Sequence, residues 1–428
     1  MSAPLRVGLA GLGTVGARVA RLIIERGDLL AERTGRRLKL TAVSARDRTR
    51  WRGVDLSDYT WVSETVELAE RNDVDVVVEL VGGADGVARA LVTEAFRRGK
   101  HVVTANKALI AHHGATLAAM AERSGTAFAY EAAVAGGVPI IKTLREALVV
   151  NRVSKLYGIL NGTCNFILTQ MAAGKGDFAA VLKEAQRLGY AEADPSFDVE
   201  GTDAAHKLAI LSALAFGTPI DFEGVFREGI TKISSVDFDY AREFGYAIKL
   251  LAIAEATGAG VRQHVHLAMV PQHTPIADVD GAYNAIVIEA DPLGRLVLEG
   301  PGAGAGATAS AVLSDLADIA RGLVMPAFQK PVPGTAEATP LASREGSFYL
   351  RFTALDRPGV IAEIAGILSG YDISIESMVQ RGRDPGAPVS VVMITHEARE
   401  AVMAQALKAI AGLANVVEAP CMIRIEAF

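Results

Sequence analysis

The residues that most restrict how this chain can fold stand at its start. Leu5 to Gly16 reads LRVGLAGLGTVG: a short apolar strand, a glycine turn, then the helix ARVARLIIERG. The glycines at Gly11, Gly13 and Gly16 follow G-x-G-x-x-G. Gly11 tolerates unusual turn dihedrals, Gly13 lets backbone approach a pyrophosphate, and Gly16 lets the helix pack closely on the strand. Exposed N–H groups and the dipole at the helix start then attract phosphate. Alone the spacing is a weak signal; between a strand and a helix it predicts a dinucleotide-binding unit.

The next segments extend that unit. LKLTAVS (Leu38 to Ser44), DVVVELV (Asp75 to Val81) and HVVTA (His101 to Ala105) read as buried strands separated by helices. Strand–helix alternation predicts a Rossmann-type, doubly wound parallel sheet, with ligands at the carboxyl ends of its strands. Gly82, Gly83, Thr104, Asn106 and Lys107 occupy such ends. Lysine opposes the positive end of a helix dipole, so Lys107 is expected to face cofactor or substrate. The second strand ends in Ser44, Ala45 and Arg46, and its nearest acid, Asp47, comes late. A small polar residue followed by arginine suits a 2′-phosphate, so Arg46 predicts NADP over NAD.

At 428 residues the chain should hold two or three domains. Residues 1–130 are expected to form the dinucleotide domain, completed by a second glycine-rich helix at 303–325. Residues 131–302 read as a mixed α+β substrate and dimerisation domain, and 326–345 as a linker. Residues 346–428 repeat strand–helix–strand, a ferredoxin-like βαββαβ unit suited to binding or dimerisation. Removing the chain from Ser347 onward is therefore expected to spare activity. A net charge of −6 argues against nucleic-acid binding. Two cysteines are too few for a disulfide framework. With no signal-peptide pattern and no apolar run near the roughly 18 residues of a membrane span, a cytoplasmic protein is expected.

The stretch from Ala185 to Lys207, AQRLGYAEADPSFDVEGTDAAHK, carries Glu192, Asp194, Asp198, Glu200 and Asp203, then a lysine. Asp203 and Lys207 are four apart at the head of a predicted helix, on one face. Ile210, Leu211 and Leu214 continue that face, so Lys207 is in line with an apolar stripe. A lysine drawn into apolar surroundings beside a carboxylate is suited to donating a proton; by spacing alone the pair reads rather as a helix-surface ion pair. Asn161-Gly162-Thr163 reads as a ligand-facing turn at a helix start, and Cys164 as a packed thiol.

With these residues assembled, the chain resembles homoserine dehydrogenases that carry a C-terminal ACT domain, over essentially its whole length. The most specific match is Ala185, Gly189, Tyr190, Asp194-Pro195, Asp198, Val199, Gly201, Asp203 and Lys207. The resemblance implies reversible reduction of L-aspartate 4-semialdehyde to L-homoserine, in threonine, methionine and isoleucine biosynthesis. It makes Lys207 the proton donor and Lys107 a second lysine near cofactor and substrate. Glu192, Asp198 and Asp203 become the acids near the substrate ammonium and the catalytic lysine. Thr14 and Val15 become dinucleotide contacts, beside Gly11, Gly13, Gly16, Arg46, Gly82, Thr104, Lys107 and Gly302. Glu131, Val134, Gly136 and Val138 are implied to hold a monovalent cation, sodium or potassium, largely through carbonyl oxygens. The D-R-P-G-V turn at Asp356 to Val360 is implied to bind an amino acid, which suggests feedback by threonine. A homodimer or homotetramer is expected.

Two other readings compete. A 2-hydroxy-acid dehydrogenase with an ACT domain should carry a catalytic histidine with arginine, and none of the eight histidines has such a setting. A non-catalytic amino-acid sensor should have lost Lys207, Asp203 or a turn glycine, and all are intact.

Overall fold

The computed structural model describes residues 3–329, 338–381 and 386–428, so residues 330–337 of the expected linker lie outside the described residues. The chain divides into two compact units. Unit 1 comprises Met1–Leu156, His206–Glu223 and Asn284–Glu337; unit 2 comprises Tyr157–Ala205, Gly224–Tyr283 and Ala338–Phe428.

Unit 1 opens with β1 (Leu5–Ala10), α1 (Thr14–Glu25), α2 (Gly27–Thr34), β2 (Leu38–Ser44), β3 (Thr60–Trp61) and α3 (Glu67–Glu70). It continues with β4 (Val76–Glu79), α4 (Val87–Arg97), β5 (His101–Thr104), α5 (Lys107–Ser124) and β6 (Phe128–Ala129). The strands form one parallel sheet, β3-β2-β1-β4-β5-β6. Val7, Leu9, Val76, Val78 and Val103 are all buried, as a parallel sheet covered on both faces requires. Strand order reverses between β1 and β4, which opens a crevice at their carboxyl ends.

α6 (Ile140–Lys142) follows, and the boundary between the units falls within β7 (Arg152–Ile159). Unit 2 then adds α7 (Gly162–Ala172), α8 (Phe178–Arg187) and α9 (Ser196–Val199). The helix α10 (Thr202–Phe216) begins in unit 2 and continues in unit 1. β8 (Phe226–Arg227), α11 (Ser235–Glu243), β9 (Tyr246–Thr257) and β10 (Gly260–Pro271) belong to unit 2. β11 (Tyr283–Asp291), β12 (Gly294–Pro301) and α12 (Ala305–Ala320) bring the chain back to unit 1. There α12 packs on α1, with Val312, Leu316 and Ile319 sharing a core with Val19, Leu22 and Ile23. The second glycine-rich segment leads into this helix. Each such side chain, fully buried, contributes about 1.5–3 kcal/mol.

Unit 2 ends with β13 (Glu345–Gly346), β14 (Phe348–Leu355), α13 (Val360–Gly370), β15 (Ile375–Gln380), β16 (Pro388–Thr395), β17 (Ala398–Arg399), α14 (Glu400–Ala411) and β18 (Cys421–Ile425). β18-β14-β16-β15 are antiparallel neighbours, the order of a ferredoxin-like βαββαβ unit. Ile364, Leu368, Met403, Ala406 and Ile410 of α13 and α14 fill its core with Phe348, Leu350 and Phe352.

This C-terminal unit is not the detachable module that its boundaries suggested. β18 also pairs in parallel with β10 (Ala268↔Arg424, Met269↔Ile425), and β10 pairs with β9 along its whole length. A single sheet therefore runs β9-β10-β18-β14-β16-β15. Asp237 of α11 is fully buried and accepts hydrogen bonds from Tyr349 Oη at 2.8 Å and Arg351 Nε at 2.7 Å, both on β14. Burial and the Asp237 carboxylate push the Tyr349 hydroxyl pKa far up, so it stays a donor. The Phe428 ring stacks on Tyr157 with centroids 3.6 Å apart.

Removing residues 347–428 takes Tyr349 and Arg351 from Asp237, which keeps the Ser234 amide at 2.9 Å, and exposes the edge of β10. An uncompensated buried charge costs about 3–5 kcal/mol, and an unpaired apolar edge invites aggregation. We expect the truncated chain to be recovered aggregated, or with its thermal midpoint lowered by at least about 5 °C. A soluble truncation with an unchanged midpoint in a thermal melt would show that β18 is dispensable.

Candidate active site

The glycine turn borders a cleft within unit 1. A Cβ at Gly11 (φ +91°) would meet the Leu80 carbonyl oxygen at 2.5 Å, and one at Gly16 would meet the Gly11 carbonyl oxygen at 1.9 Å. Both positions therefore exclude side chains for packing reasons. Gly13 differs: nothing lies within 4 Å of its Cβ position, and its φ of −71° suits any residue. It caps α1 without a side-chain hydrogen bond, so the N–H groups of Thr14 and Val15 stand at an open helix start. A cleft of about 580 Å³ lies there, lined by Gly11, Gly13, Ser44, Arg46, Arg50 and Gly82 among others. An open helix terminus, an empty Cβ position and a basic rim fit a dinucleotide.

The 46–52 loop is held by its own contacts. Asp47 Oδ1 accepts from the Thr49 amide at 2.8 Å, the Thr49 hydroxyl at 2.7 Å and the Arg50 amide at 3.2 Å. These bonds, the Thr49 hydroxyl foremost, hold its carboxyl below the usual range. Arg52 Nε donates to the Leu12 carbonyl at 3.1 Å, and its guanidinium lies over Trp61 at 5.5 Å, as does that of Arg48 at 5.6 Å. The one acid near the second strand is thus committed to a turn, and arginines edge the cleft.

The sequence reading missed Glu79. Fully buried at the end of β4, its Oε1 accepts the Val81 and Gly82 amides at 2.8 and 2.9 Å, and its Oε2 accepts the Thr104 hydroxyl at 2.6 Å. Thr104 Oγ1 in turn accepts the Asn106 amide at 3.0 Å. Asn106 Nδ2 donates to the Gly83 carbonyl at 2.7 Å while its Oδ1 caps α5 through Leu109 N. The side chain of Thr104 is therefore spent on positioning rather than turned toward the cleft. The network locks the ends of β4 and β5 and makes Lys107 the first residue of α5.

Unit 2 carries its own group of acids. Asn161, another residue that the sequence reading placed in a turn without assigning it a role, donates from Nδ2 to Asp198 Oδ1 at 2.7 Å and to Asp203 Oδ2 at 2.8 Å. Its Oδ1 accepts the Cys164 amide at 2.8 Å and so caps α7. Cys164 is buried, and its thiol donates to the Asp198 carbonyl at 3.2 Å. Asp198 and Asp203 are thereby gathered at one amide, with Asp203 only 4 % exposed. Glu192 is exposed, and Asp194 accepts from the amide and hydroxyl of Ser196 in a local turn.

Lys207 follows Asp203 by four residues on α10 and is 8 % exposed. Within unit 1 its neighbour His206 packs edge-on against His112 of α5 at 5.3 Å and against Phe222 at 4.2 Å. This contact joins the helix that Lys107 starts to the helix that carries Lys207.

Glu131 is 3 % exposed, and its two oxygens accept the Ile141 and Lys142 amides at 2.9 Å each, capping α6. Its own amide donates to buried Asp315 at 2.9 Å. Burial first, then Asp315, pushes the Glu131 carboxyl up to about 7; burial pushes Asp315 up to about 6. Ala135 and Gly136 both have positive φ, and the Val138 carbonyl accepts the Ile140 amide at 2.8 Å. Glu131 and Val138, named with Val134 and Gly136 for a cation, thus already serve the backbone. Among the described residues no group of three or more His, Cys, Asp or Glu side chains could hold a metal ion. Gly302 is packed: a Cβ there would meet Asn284 Oδ1 at 2.0 Å.

Three family descriptions match the chain: "Homoserine dehydrogenase, NAD binding domain" over 11–131, "Homoserine dehydrogenase" over 139–317, and "ACT domain" over 348–415. A homoserine dehydrogenase of Neisseria gonorrhoeae is 44% identical, with 99% of each chain covered. The crystal structure of a homoserine dehydrogenase from Thiobacillus denitrificans superposes with a TM-score of 0.93 at 41% identity, covering 99% of this chain and 98% of that one. A hyperthermophilic archaeal homoserine dehydrogenase in complex with NADPH matches 76% of this chain and 100% of its own at 25% identity, with a TM-score of 0.63.

The contrast among the glycines is testable. Gly13→Ala should leave the thermal midpoint within about 1 °C, since the added methyl meets nothing. It should weaken dinucleotide binding at least about tenfold, because that methyl occupies the line of approach to the helix start. Fluorescence titration with NADPH measures the second effect, and unchanged affinity would move the pyrophosphate elsewhere.

Proposed function

The chain belongs to the homoserine dehydrogenase family, and from that premise we propose that it interconverts L-aspartate 4-semialdehyde and L-homoserine with NADP in preference to NAD. The observation that carries this reading is the pairing of Asp198 and Asp203 on Asn161, with buried Lys207 one helical turn beyond Asp203. One turn rises about 5.4 Å. A four-carbon amino alcohol needs its ammonium and its reacting oxygen held a few ångströms apart, by charges of opposite sign.

In this reading the dinucleotide lies along the cleft at Gly11, Gly13, Thr14, Val15 and Gly16, with Gly82 and Gly302 close by. The nicotinamide supplies or accepts the hydride. Asp198 and Asp203 bind the substrate ammonium, with Glu192 at the exposed rim. As hydride reaches the aldehyde carbon, negative charge grows on oxygen; Lys207 stabilises and protonates it, and Lys107 assists. Asp203 also orients Lys207 along α10. Arg46 takes the 2′-phosphate, supported by Asp47 being turned into its own loop. Thr104 acts through Glu79 and Asn106. Glu131, Val134, Gly136 and Val138 offer only oxygens, the donor type of a monovalent cation, and such an ion would brace their loop. Threonine is the proposed effector. The Asp356–Val360 turn joins β14 to α13, whose N-cap Gly359 (φ +94°) leaves the helix start uncapped by any side chain. The proposed setting is a cytoplasmic homo-oligomer in the synthesis of threonine, methionine and isoleucine.

The reaction is checked by absorbance of the reduced nicotinamide with L-homoserine and either cofactor, with and without L-threonine. Homoserine-dependent reduction, faster with NADP and suppressed by threonine, is expected; no signal from folded protein with either cofactor, sodium or potassium being present, would sink the reading. Lys207→Met should lower kcat by about a hundredfold or more while leaving NADPH affinity within about twofold. Unchanged turnover would remove Lys207 from the chemistry. Arg46→Ala should raise the KM for NADP about tenfold or more, the loss of one charge-assisted hydrogen bond, with the KM for NAD nearly constant. An equal change for both cofactors would place the 2′-phosphate elsewhere.

A further inference from the structure

The acids gathered by Asn161 rest on a turn, and that turn rests on another loop of unit 2. The Ile230 amide donates to the Val199 carbonyl at 2.9 Å, and the Glu228 amide to the Val265 carbonyl at 2.8 Å. Between them, a Cβ at Gly229 would meet the Val199 carbonyl oxygen at 2.1 Å and Glu200 Cα at 2.7 Å. Gly201, at φ +83°, abuts Val265 and the Glu228 carbonyl, and its own carbonyl accepts the Ala205 amide as α10 begins. Loop 228–230 is thus in backbone contact with the segment 199–201 that separates Asp198 from Asp203. A shift of that loop by a few tenths of an ångström has no space in which to be absorbed.

What anchors the loop is a side chain from the far end of the sequence. Arg424 of β18 donates from Nη1 to Glu228 Oε2 at 2.8 Å, and from Nη2 and Nε to Glu400 at 2.6 and 3.0 Å. Its guanidinium also lies over Phe226 of β8 at 5.3 Å. Arg424 is 3 % exposed, and Glu400 stands in the first turn of α14. One guanidinium therefore bridges the ferredoxin-like unit and the loop beneath the acids.

We propose that Arg424 is a positioning residue for the substrate acids, acting through Glu228 and loop 228–230 to set the separation of Asp198 and Asp203. The inference rests on the reading that those two acids bind the substrate ammonium. It makes the C-terminal strand part of the substrate site's support as well as a carrier of the effector domain.

Replacing Arg424 would strand buried Glu400, so the test uses Glu228, whose side chain is 33 % exposed, in the full-length protein. Glu228→Ala should raise the KM for L-homoserine about tenfold, with kcat within about threefold and NADPH affinity unchanged. Glu228→Gln, which keeps one hydrogen bond to Arg424, should recover at least half of that loss on a logarithmic scale. If the alanine variant is insoluble, Glu228→Asp carries the same test: it keeps the charge, draws the loop by one methylene, and should raise KM several-fold. A lowered thermal midpoint with unchanged KM would mean that the pair only stabilises the fold, and would overturn the proposal. Asp203→Asn is measured alongside. If it leaves the KM for homoserine unchanged, the ammonium reading itself has failed; a raised KM there with none in the Glu228 variants defeats the positioning role alone.

Discussion

A buried carboxylate is tolerated only when donors fill its lone pairs, and each working loop of this protein is tied to one that meets this requirement. Glu79 holds the 81–82 turn and Thr104. Glu131 caps α6 and, through its amide, meets Asp315. Asp237 is filled by Tyr349 and Arg351, and Glu400 by Arg424. In every case the acid accepts from backbone amides or from residues distant in sequence, so a loop that would otherwise fray is fixed by a charge that cannot be left unpaired. Replacing such an ion pair with apolar residues is often neutral or stabilising. The advantage here is directional: an N–H or guanidinium fits one geometry, and the loops that carry the glycines, Lys107, Asp198 and Asp203 inherit it.

Asp198 and Asp203 follow a different rule. Both accept from one neutral side chain, the Asn161 amide, which offers two N–H groups to two carboxylates. That amide fixes the direction of one oxygen of each acid without adding a charge of its own, unlike the guanidinium groups at Asp237 and Glu400.

Much of the fold was legible because it is local. The apolar strand before Gly11, the period of α10 and the βαββαβ order of the C-terminal unit are all written in residues close in sequence. Of the candidate site, the shared helix and the burial of Asp203 and Lys207 were legible from their spacing along an apolar stripe. What escaped depends on partners far away in the chain. Glu79 reads as one more residue of an apolar run, and only the arrival of β5 gives it Thr104. Thr104 sits at a strand end and so reads as ligand-facing, yet side chains alternate along a strand and its hydroxyl falls on the inner side. Asn161 was visible as a turn residue, but its second partner lies forty-two residues on. The pairing of β18 with β10 joins residues more than 150 positions apart, and no local pattern marks which strand an edge will choose.

That last pairing bears on how a regulatory unit can act. A ferredoxin-like unit on a flexible linker would influence a distant site only by docking differently. Here β18 lies inside one continuous sheet, and it closes the antiparallel unit through β14 while extending β9 and β10. The turn at Asp356 to Val360 leaves β14 directly, and β14 is paired with β18 through Phe348↔Arg424. A ligand that reshapes the turn therefore acts on a strand hydrogen-bonded to the one that carries Arg424. Tightly packed elements pass on small displacements rather than absorb them. A C-terminal unit joined to the sheet in this way is coupled to β10 through hydrogen-bonded strands, so a displacement of the Asp356–Val360 turn has a continuous backbone route to β18.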